Sequence, residues 1–326
     1  MGYVLMSGPL VVAGEVIEIK AIPNADRIRL ATVSCGSAGI WSGVVGLDVE
    51  VPDDVVVFLQ DALLPPDVRW AFMEKQKWRV KMCRFRGAPS ECLILKSVLP
   101  HMHEIGSDLT ELYGVTKYEK PLPVGSAGDI LGNFPSWIPK TDEDNFQRVP
   151  ELVARMKTEP WYATVKADGT SCTVWNDADG LHVCSRNFEL KEFTESGASN
   201  LYWRMARKFK MNELPTTHAI QFEIVGPGVQ SNPMGLPEQT IRVFHVYDIA
   251  ERRMLSNIDM IVFCANNCLP QASFVASHLS YTVESDDDLR SLAAIKYENG
   301  KPGEGVVVRA CDGTWSFKIL NLEYKD

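Results

Sequence analysis

The chain has 326 residues, 45% of them hydrophobic and 23% charged, with a net charge of −9. That length suits two packed cores, and the composition is that of a soluble globular protein. The acidic balance excludes a histone-like protein that holds nucleic acid by bulk charge, though not an enzyme with a local basic groove. No run approaches the roughly 18 apolar residues of a membrane span. The opening MGYVLMSGPLVVAGEV lacks the basic region of a signal peptide, and Met6 stands where a myristoylation signal has Ser or Thr. The eight cysteines form no CxxC pair. They read as buried, reduced thiols, so the expected location is cytoplasmic, with no membrane partner.

From residue 1 to about 100, short β-type runs (VVAGEVIEI, IRLATVSC, WSGVVGLDVEV, VVVFLQ, ECLILKSVL) alternate with Pro, Asn, Asp and Gly. Turn signals at this spacing predict a small barrel or sandwich. The stretch Ile19 to Leu30, IKAIPNADRIRL, is similar to the PNADRL segment of tRNA-binding OB-fold domains. Pro-Asn-Ala-Asp is equally a turn between two strands. The segment KQKWRVKMCRFR from Lys75 to Arg86 interleaves basic side chains with Trp78 and Phe85. Such a pattern suits a surface that tracks a nucleic-acid backbone and stacks bases, or a strand with one solvated charged face. Strand alternation would place Lys75, Lys77, Arg79 and Lys81 on one side, with Lys77, Arg79 and Lys81 as nucleic-acid ligands.

Residues 101–137 are rich in Pro and Gly and are expected to be a linker. Beyond it, YATVKADGTSCTVW, LHVCSR, AIQFEIVG, IRVFHVYDI, GEGVVVRA and SFKIL read as strands, with helices near 198–210 and 256–268. The fold class expected is α+β: an N-terminal OB-fold β-barrel over 1–100, then a domain of antiparallel sheets with flanking helices over 138–326.

Lys166-Ala167-Asp168-Gly169 puts a lysine at the end of a β-type run, just before a tight turn. A lysine in such a place serves as a nucleophile or simply precedes a hairpin. As a nucleophile it attacks phosphorus only as the neutral amine, so its pKa must fall through burial or nearby cations.

Read in order, KADG, SRNFELK, FEIVGPGVQSNP, FHVYDI, EGVVVR and SFKILNLEY resemble the successive motifs of ATP-dependent polynucleotide ligases of the covalent nucleotidyltransferase superfamily. FEIVGPGVQSNP looks like the duplex-sealing RNA ligases, and IPKTDE at Ile138 to Glu143 is similar to the clade with an N-terminal OB-fold. The resemblance covers about residues 140–326 and implies a nucleotidyltransferase domain with the following roles. Lys166 carries AMP as a lysyl phosphoramidate, and Lys318 binds the α-phosphate. Asp168 and Gly169 shape the turn beside the nucleotide sugar. Arg186 contacts the ribose or the strand phosphates, and Glu223 the ribose hydroxyls. Tyr247 stacks on adenine, with Phe244 a core residue. Glu304, with Glu223, holds Mg²⁺ or Mn²⁺. The partners implied are ATP and a nicked duplex with an RNA 3′-OH strand, sealed by a monomer in RNA repair.

Taken singly, each of these residues also fits an ordinary role: Glu223 and Glu304 in surface pairs, Tyr247 in a core, Arg186 in a solvated salt bridge. The histidines show no triad or zinc spacing and receive no role. Leu320 departs from the pattern, because many ligases have a second lysine there; either one phosphate contact is missing, or Lys325 or Arg309 replaces it. A DNA ligase or a capping-type nucleotidyltransferase is the alternative enzyme. Both resemble proteins with a C-terminal OB-fold, and only eight residues follow Lys318. A non-enzymatic RNA-binding module is the second alternative.

Overall fold

The run VVAGEVIEIKA is apolar on both faces at its start, which suits a strand covered on both sides. In the computed structural model, which describes residues 8–98, 102–118, 130–194 and 197–324, it forms β1 (Val11–Ala21). β1 pairs antiparallel with β2 (Ile28–Ser34) and with β4 (Asp54–Phe58). β2 continues to β3 (Ile40–Gly46), and β4 continues to β5 (Leu93–Lys96), giving the order β3-β2-β1-β4-β5. Glu91 N donates to Ser42 O at 2.9 Å and Val44 N to Ser90 Oγ at 2.9 Å, so the segment before β5 returns to β3. Gly43 permits this approach; a Cβ there would lie 2.6 Å from Ile94 Cδ1.

Val12, Val16, Val33, Trp41, Val57 and Ile94 fill one side of this sheet. Val11, Val56, Phe58, Trp70, Met73 and Leu109 fill the other. Trp70 and Met73 come from a 3-10 helix, Val68–Gln76, capped by the Asp67 carboxylate. These elements belong to a unit comprising Met1–Lys120 and Asp144–Glu151.

The basic segment departs from expectation here. Lys75 lies in the 3-10 helix and Lys77 and Trp78 have φ of 53° and 58°, so Lys75 to Lys81 is no strand and its side chains do not alternate. The cause is tertiary: Met73 and Trp78 pack inward, while Leu64 N donates to Trp78 O and Val80 N to Ala62 O. Within the expected linker, Thr116–Lys117 pairs with Ala62–Leu63. Its residues 101 and 119–129 lie outside the described residues.

The second unit comprises Pro121–Glu143 and Leu152–Asp326. It contains two antiparallel sheets. The larger is built from β6 (Ile130–Asn133), β8 (Thr170–Asp177), β9 (Gly180–Cys184), β10 (Phe188–Leu190), β11 (His218–Val225), β12 (Thr240–Asp248) and β13 (Arg253–Met254), in the order β6-β10-β9-β8-β11-β12-β13. The smaller comprises β7 (Trp161–Val165), β14 (Phe274–Ser277), β15 (Gly305–Ala310) and β16 (Ser316–Leu320), in the order β14-β7-β15-β16.

Period-2 alternation gives the larger sheet two distinct faces. Cys172, Val174, Ile220, Phe222, Ile224, Ile241 and Val243 pack with α1 (Leu201–Lys208) and α2 (Asn257–Asn266). Both helices begin at side-chain caps, Asn200 and Ser256, each accepting from a backbone N–H of the first turn. A third helix, α3 (Asp286–Ala293), is not among the expected helices, although Leu289, Leu292 and Ala293 share its buried face and Ser285 and Asp288 form a reciprocal capping box. Among the described residues no helix is long and apolar enough to cross a membrane.

Candidate active site

The register of the smaller sheet assembles the first part of the site. Thr164 pairs with Val307, and Val307 pairs with Lys318. Paired residues share a face, as do residues two apart on a strand. Lys318 therefore emerges on the same side of the sheet as Thr164 and, two residues on, Lys166. Lys166 N donates to Gly305 O at 2.9 Å, fixing the lysine beside the start of β15. Gly305 has a φ of 140°, and a Cβ there would sit 2.1 Å from Ile319 O, so only glycine allows β15 and β16 to meet at this point.

Lys166 Nζ lies 2.7 Å from Glu304 Oε1, and the two side chains are 25% and 21% exposed. Burial by itself would depress the ammonium. The Glu304 carboxylate, with Glu223 and Asp168 nearby, outweighs it and raises the Lys166 pKa above its ordinary value. The depressed pKa expected for a nucleophile is thus absent while Glu304 holds the amine.

Around this pair, Tyr297 does two tasks: its hydroxyl donates to Lys166 O at 3.1 Å and accepts from Glu304 N at 3.1 Å. Tyr324 donates its hydroxyl to Asp168 Oδ2. Gln230 Nε2 donates to Gly169 O at 3.1 Å. A Cβ on Gly169 would lie 2.1 Å from Ile224 O, so the turn after Lys166 can press onto β11 only with glycine. Glu223 pairs with Ser171 and Arg242 on the face of the larger sheet opposite the helices. None of Tyr297, Tyr324 and Gln230 was singled out from sequence. Each acts through a hydroxyl or amide that no spacing rule marks.

Arg309 links the two sheets of this unit. It is 3% exposed. Its Nη1 donates to Thr164 Oγ1 at 2.8 Å and its Nε to His245 Nε2 at 3.1 Å, and its Nη2 faces Glu143 at 3.5 Å. A guanidinium so enclosed is no substitute for the lysine missing at Leu320. Lys325, the other substitute, lies outside the described residues.

Two further expected residues sit elsewhere than the sequence suggested. Tyr247 is 5% exposed and packs in a core with Ile138, Trp175, Cys184 and Ala219. Phe244 is half-buried instead. It is the extra residue of a bulge where Gln221 pairs with His245 and Phe222 with Val243, and bulges re-aim side chains. Its ring lies 5.9 Å from the Arg309 guanidinium. Phe244 is therefore the partly exposed aromatic of this strand, and Tyr247 is core. Arg186 pairs with Asp142 at 2.8 Å, both 36% exposed.

Glu304 and Glu223 offer hard oxygen donors near the Lys166 ammonium. Among the described residues no group of three or more His, Cys, Asp or Glu side chains could hold a metal ion. Two carboxylates still fit a magnesium-type ion, which keeps most of its waters and takes substrate phosphates as further ligands.

A lysine paired with Glu304 near Glu223 and Asp168, with a second lysine on the same sheet face, is an arrangement that could serve phosphoryl chemistry on an anionic substrate. Comparison with known proteins agrees. The RNA ligase family matches residues 159–321, and the chain belongs to that family. Solved structures of a Naegleria gruberi RNA ligase are similar over nearly the whole length. An apo mutant is 28% identical, with 97% of each chain covered and a TM-score of 0.80. A mutant bound to ATP and Mn is 28% identical, covers 98% of this chain and 100% of its own, and has a TM-score of 0.80. A mutant with AMP and Mn has a TM-score of 0.79 at 28% identity, with 96% of this chain and 97% of that one covered. No curated protein matches the chain.

Proposed function

We propose that this chain is an ATP-dependent RNA ligase that seals 3′-OH/5′-phosphate nicks in duplexes through a lysyl-AMP intermediate on Lys166. The observation that carries the proposal is the Lys166–Glu304 pair, at 2.7 Å, set among Glu223 and Asp168 with Lys318 on the same face of the sheet. ATP and Mn in structures of the Naegleria gruberi enzyme support the choice of nucleotide and metal.

Three displacements make up the reaction. The neutral Lys166 amine attacks the α-phosphorus of ATP, a P–N bond forms, and pyrophosphate leaves. The 5′-phosphate of the nick then attacks the same phosphorus, the P–N bond breaks, and a 5′–5′ pyrophosphate results. Finally the 3′-OH attacks the 5′-phosphate, and AMP leaves. Lys318 faces the charge that grows on the phosphoryl oxygens. Glu304 and Glu223 would hold a divalent ion, which lessens phosphate charge when bound. Opening of the Lys166–Glu304 pair, with the ammonium proton passing to solvent, would free the neutral amine. Phe244 supplies the base-stacking surface assigned from sequence to Tyr247.

The N-terminal unit we read as an OB-fold that grips the nucleic acid. Support comes from its strand order β3-β2-β1-β4-β5, with the segment before β5 returning to β3. Exposed Lys75, Lys77, Arg84 and Arg86 add charge to its surface. RNA repair by a monomer is the setting this activity fits.

Incubation with labelled ATP should give one AMP-sized adduct on the peptide containing Lys166, lost in Lys166→Ala. Four nicked duplexes, with RNA or DNA on each side, should then show sealing only where the 3′-OH strand is RNA, because a 2′-OH at the attacking nucleotide can be read directly. Equal rates with a DNA 3′-OH strand would reassign the protein as a DNA ligase.

A further inference from the structure

We infer that Gln221 and His245 form a donor–acceptor pair that reads the edge of the nucleotide base and selects adenine over guanine. The inference rests on the ATP reading above and names residues that determine its specificity.

The two residues are register partners on β11 and β12, immediately beside the bulge that carries Phe244. They are 1% and 7% exposed. Each uses one polar atom within the fold and leaves the other unused. Gln221 Nε2 donates to Pro139 O at 2.9 Å, which fixes the orientation of the amide, and Oε1 has no partner. His245 Nε2 receives the Arg309 Nε–H at 3.1 Å. Arginine can only donate, so the imidazole proton sits on Nδ1, and Nδ1 also has no partner. Burial and the Arg309 charge hold the His245 pKa well below its ordinary value, which keeps the ring neutral in this tautomer.

Buried polar groups lacking partners are rare, and each requires a reason. Here an acceptor and a donor stand side by side, on the sheet face opposite the helices. The Phe244 ring lies edge-on to the imidazole, with centroids 5.7 Å apart. A base that stacks on Phe244 would bring its edge toward the pair. Adenine presents an N6 amino donor beside an N1 acceptor, the complement of Gln221 Oε1 and His245 Nδ1–H. Guanine presents the O6 acceptor beside the N1–H donor, which opposes both. A site whose buried polar groups are satisfied by one ligand rejects the analogue that leaves them unpaired.

The test measures kcat/KM for lysyl adduct formation by the full chain with ATP, with purine riboside triphosphate, which lacks the N6 amine, and with 1-deazaadenosine triphosphate, which lacks the N1 acceptor. Wild type should lose roughly 5- to 150-fold with each analogue, chiefly in KM. Gln221→Met should erase the penalty for the missing amine and keep the other. His245→Phe should do the reverse, and His245→Asn, which restores a donor, should recover the penalty for the missing N1. Each ratio is taken within one protein, so a variant that folds in lower yield still reports. If neither variant folds, the two wild-type penalties decide. Equal use of ATP and both analogues by wild type, or variants that keep both penalties because a trapped water satisfies the pair, would overturn the inference. No adduct with ATP at all would instead sink the ATP reading.

Discussion

Lys166 is held by what surrounds it more than by its own sequence neighbours. Its carbonyl is fixed by Tyr297 and its amine by Glu304. Glu304→Ala and Lys318→Ala should each reduce sealing by roughly 10²–10³, the cost of one preorganised charge contact in a transition state. Rates within threefold of wild type on a nicked duplex would refute either role. Phe244 and Tyr247 should separate cleanly. Phe244→Ala loses stacking worth about 1–3 kcal/mol and should raise KM for ATP without moving the melting temperature much. Tyr247→Ala opens a cavity in the Trp175–Ile138 core and should cost about 3–5 kcal/mol in stability. Calorimetry beside adduct kinetics distinguishes the two; a Tyr247→Ala protein that melts like wild type but binds ATP poorly would reverse the assignment.

At the scale of elements, the β8–β9 hairpin carries its own titrating clasp. His182 stacks on Trp175 at 4.6 Å and 4°. Its ring nitrogens contact Glu189 Oε1 at 2.6 Å and Asp177 Oδ1 at 2.9 Å. Burial opposes the imidazolium, yet its hydrogen bonds to both carboxylates prevail and the pKa is raised above 6.5. A raised folded-state pKa adds stability that is fully present below the unfolded value and is lost as pH rises through the folded one. The stability advantage of wild type over His182→Phe should therefore be largest below pH 6.5 and shrink above it. Denaturant titrations at several pH values measure this, and an advantage that grows with pH would contradict it. The clasp, the β12 bulge and Gly305 all depend on which strand lies beside which.

Across the whole molecule, chemistry and grip are assigned to different units. Every residue given a role at the lysine lies in the unit of Leu152–Asp326 and Pro121–Glu143, whereas the basic segment lies in the other. Within that segment the cations are not equivalent. Arg79 pairs with Asp61 at 2.9 Å and lies 4.0 Å from the Tyr118 ring centroid, while Lys77 and Arg86 are exposed. Replacing Lys77 and Arg86 by Ala should weaken duplex binding and lower its salt dependence by about 0.9 per lost phosphate contact. Arg79→Ala should instead lower stability, by removing the Asp61 ion pair and the contact with the Tyr118 ring. An unchanged salt slope in the Lys77/Arg86 double variant would move the nucleic-acid surface elsewhere.

The sequence by itself marked the longer strands of both units, because each is a run of alternating or continuous apolar residues bounded by turn residues; it did not mark the short strands Phe188–Leu190, Arg253–Met254 and Phe274–Ser277, nor Ile130–Asn133 within the expected linker. It also singled out Lys166, Glu223, Glu304 and Lys318 as candidates from local motifs in a fixed order, and the sheets bring Lys166, Glu304 and Glu223 together with Lys318 on the same sheet face as Lys166. It did not reveal the left-handed turn at Lys77 and Trp78, where inward packing of Met73 and Trp78 overrides a basic, strand-like pattern. Nor did it separate Phe244 from Tyr247, since a one-residue bulge shifts the alternation of β12 and nothing local announces it. Only the tertiary structure decided that Arg309 is enclosed by Thr164, His245 and Glu143, and that Gln221 and His245 each keep one buried polar atom unused. These are matters of which groups meet across 64 to 166 residues of chain. Periodicity and propensity act over a few residues, so they fix the elements and leave such meetings to the packing of the sheets.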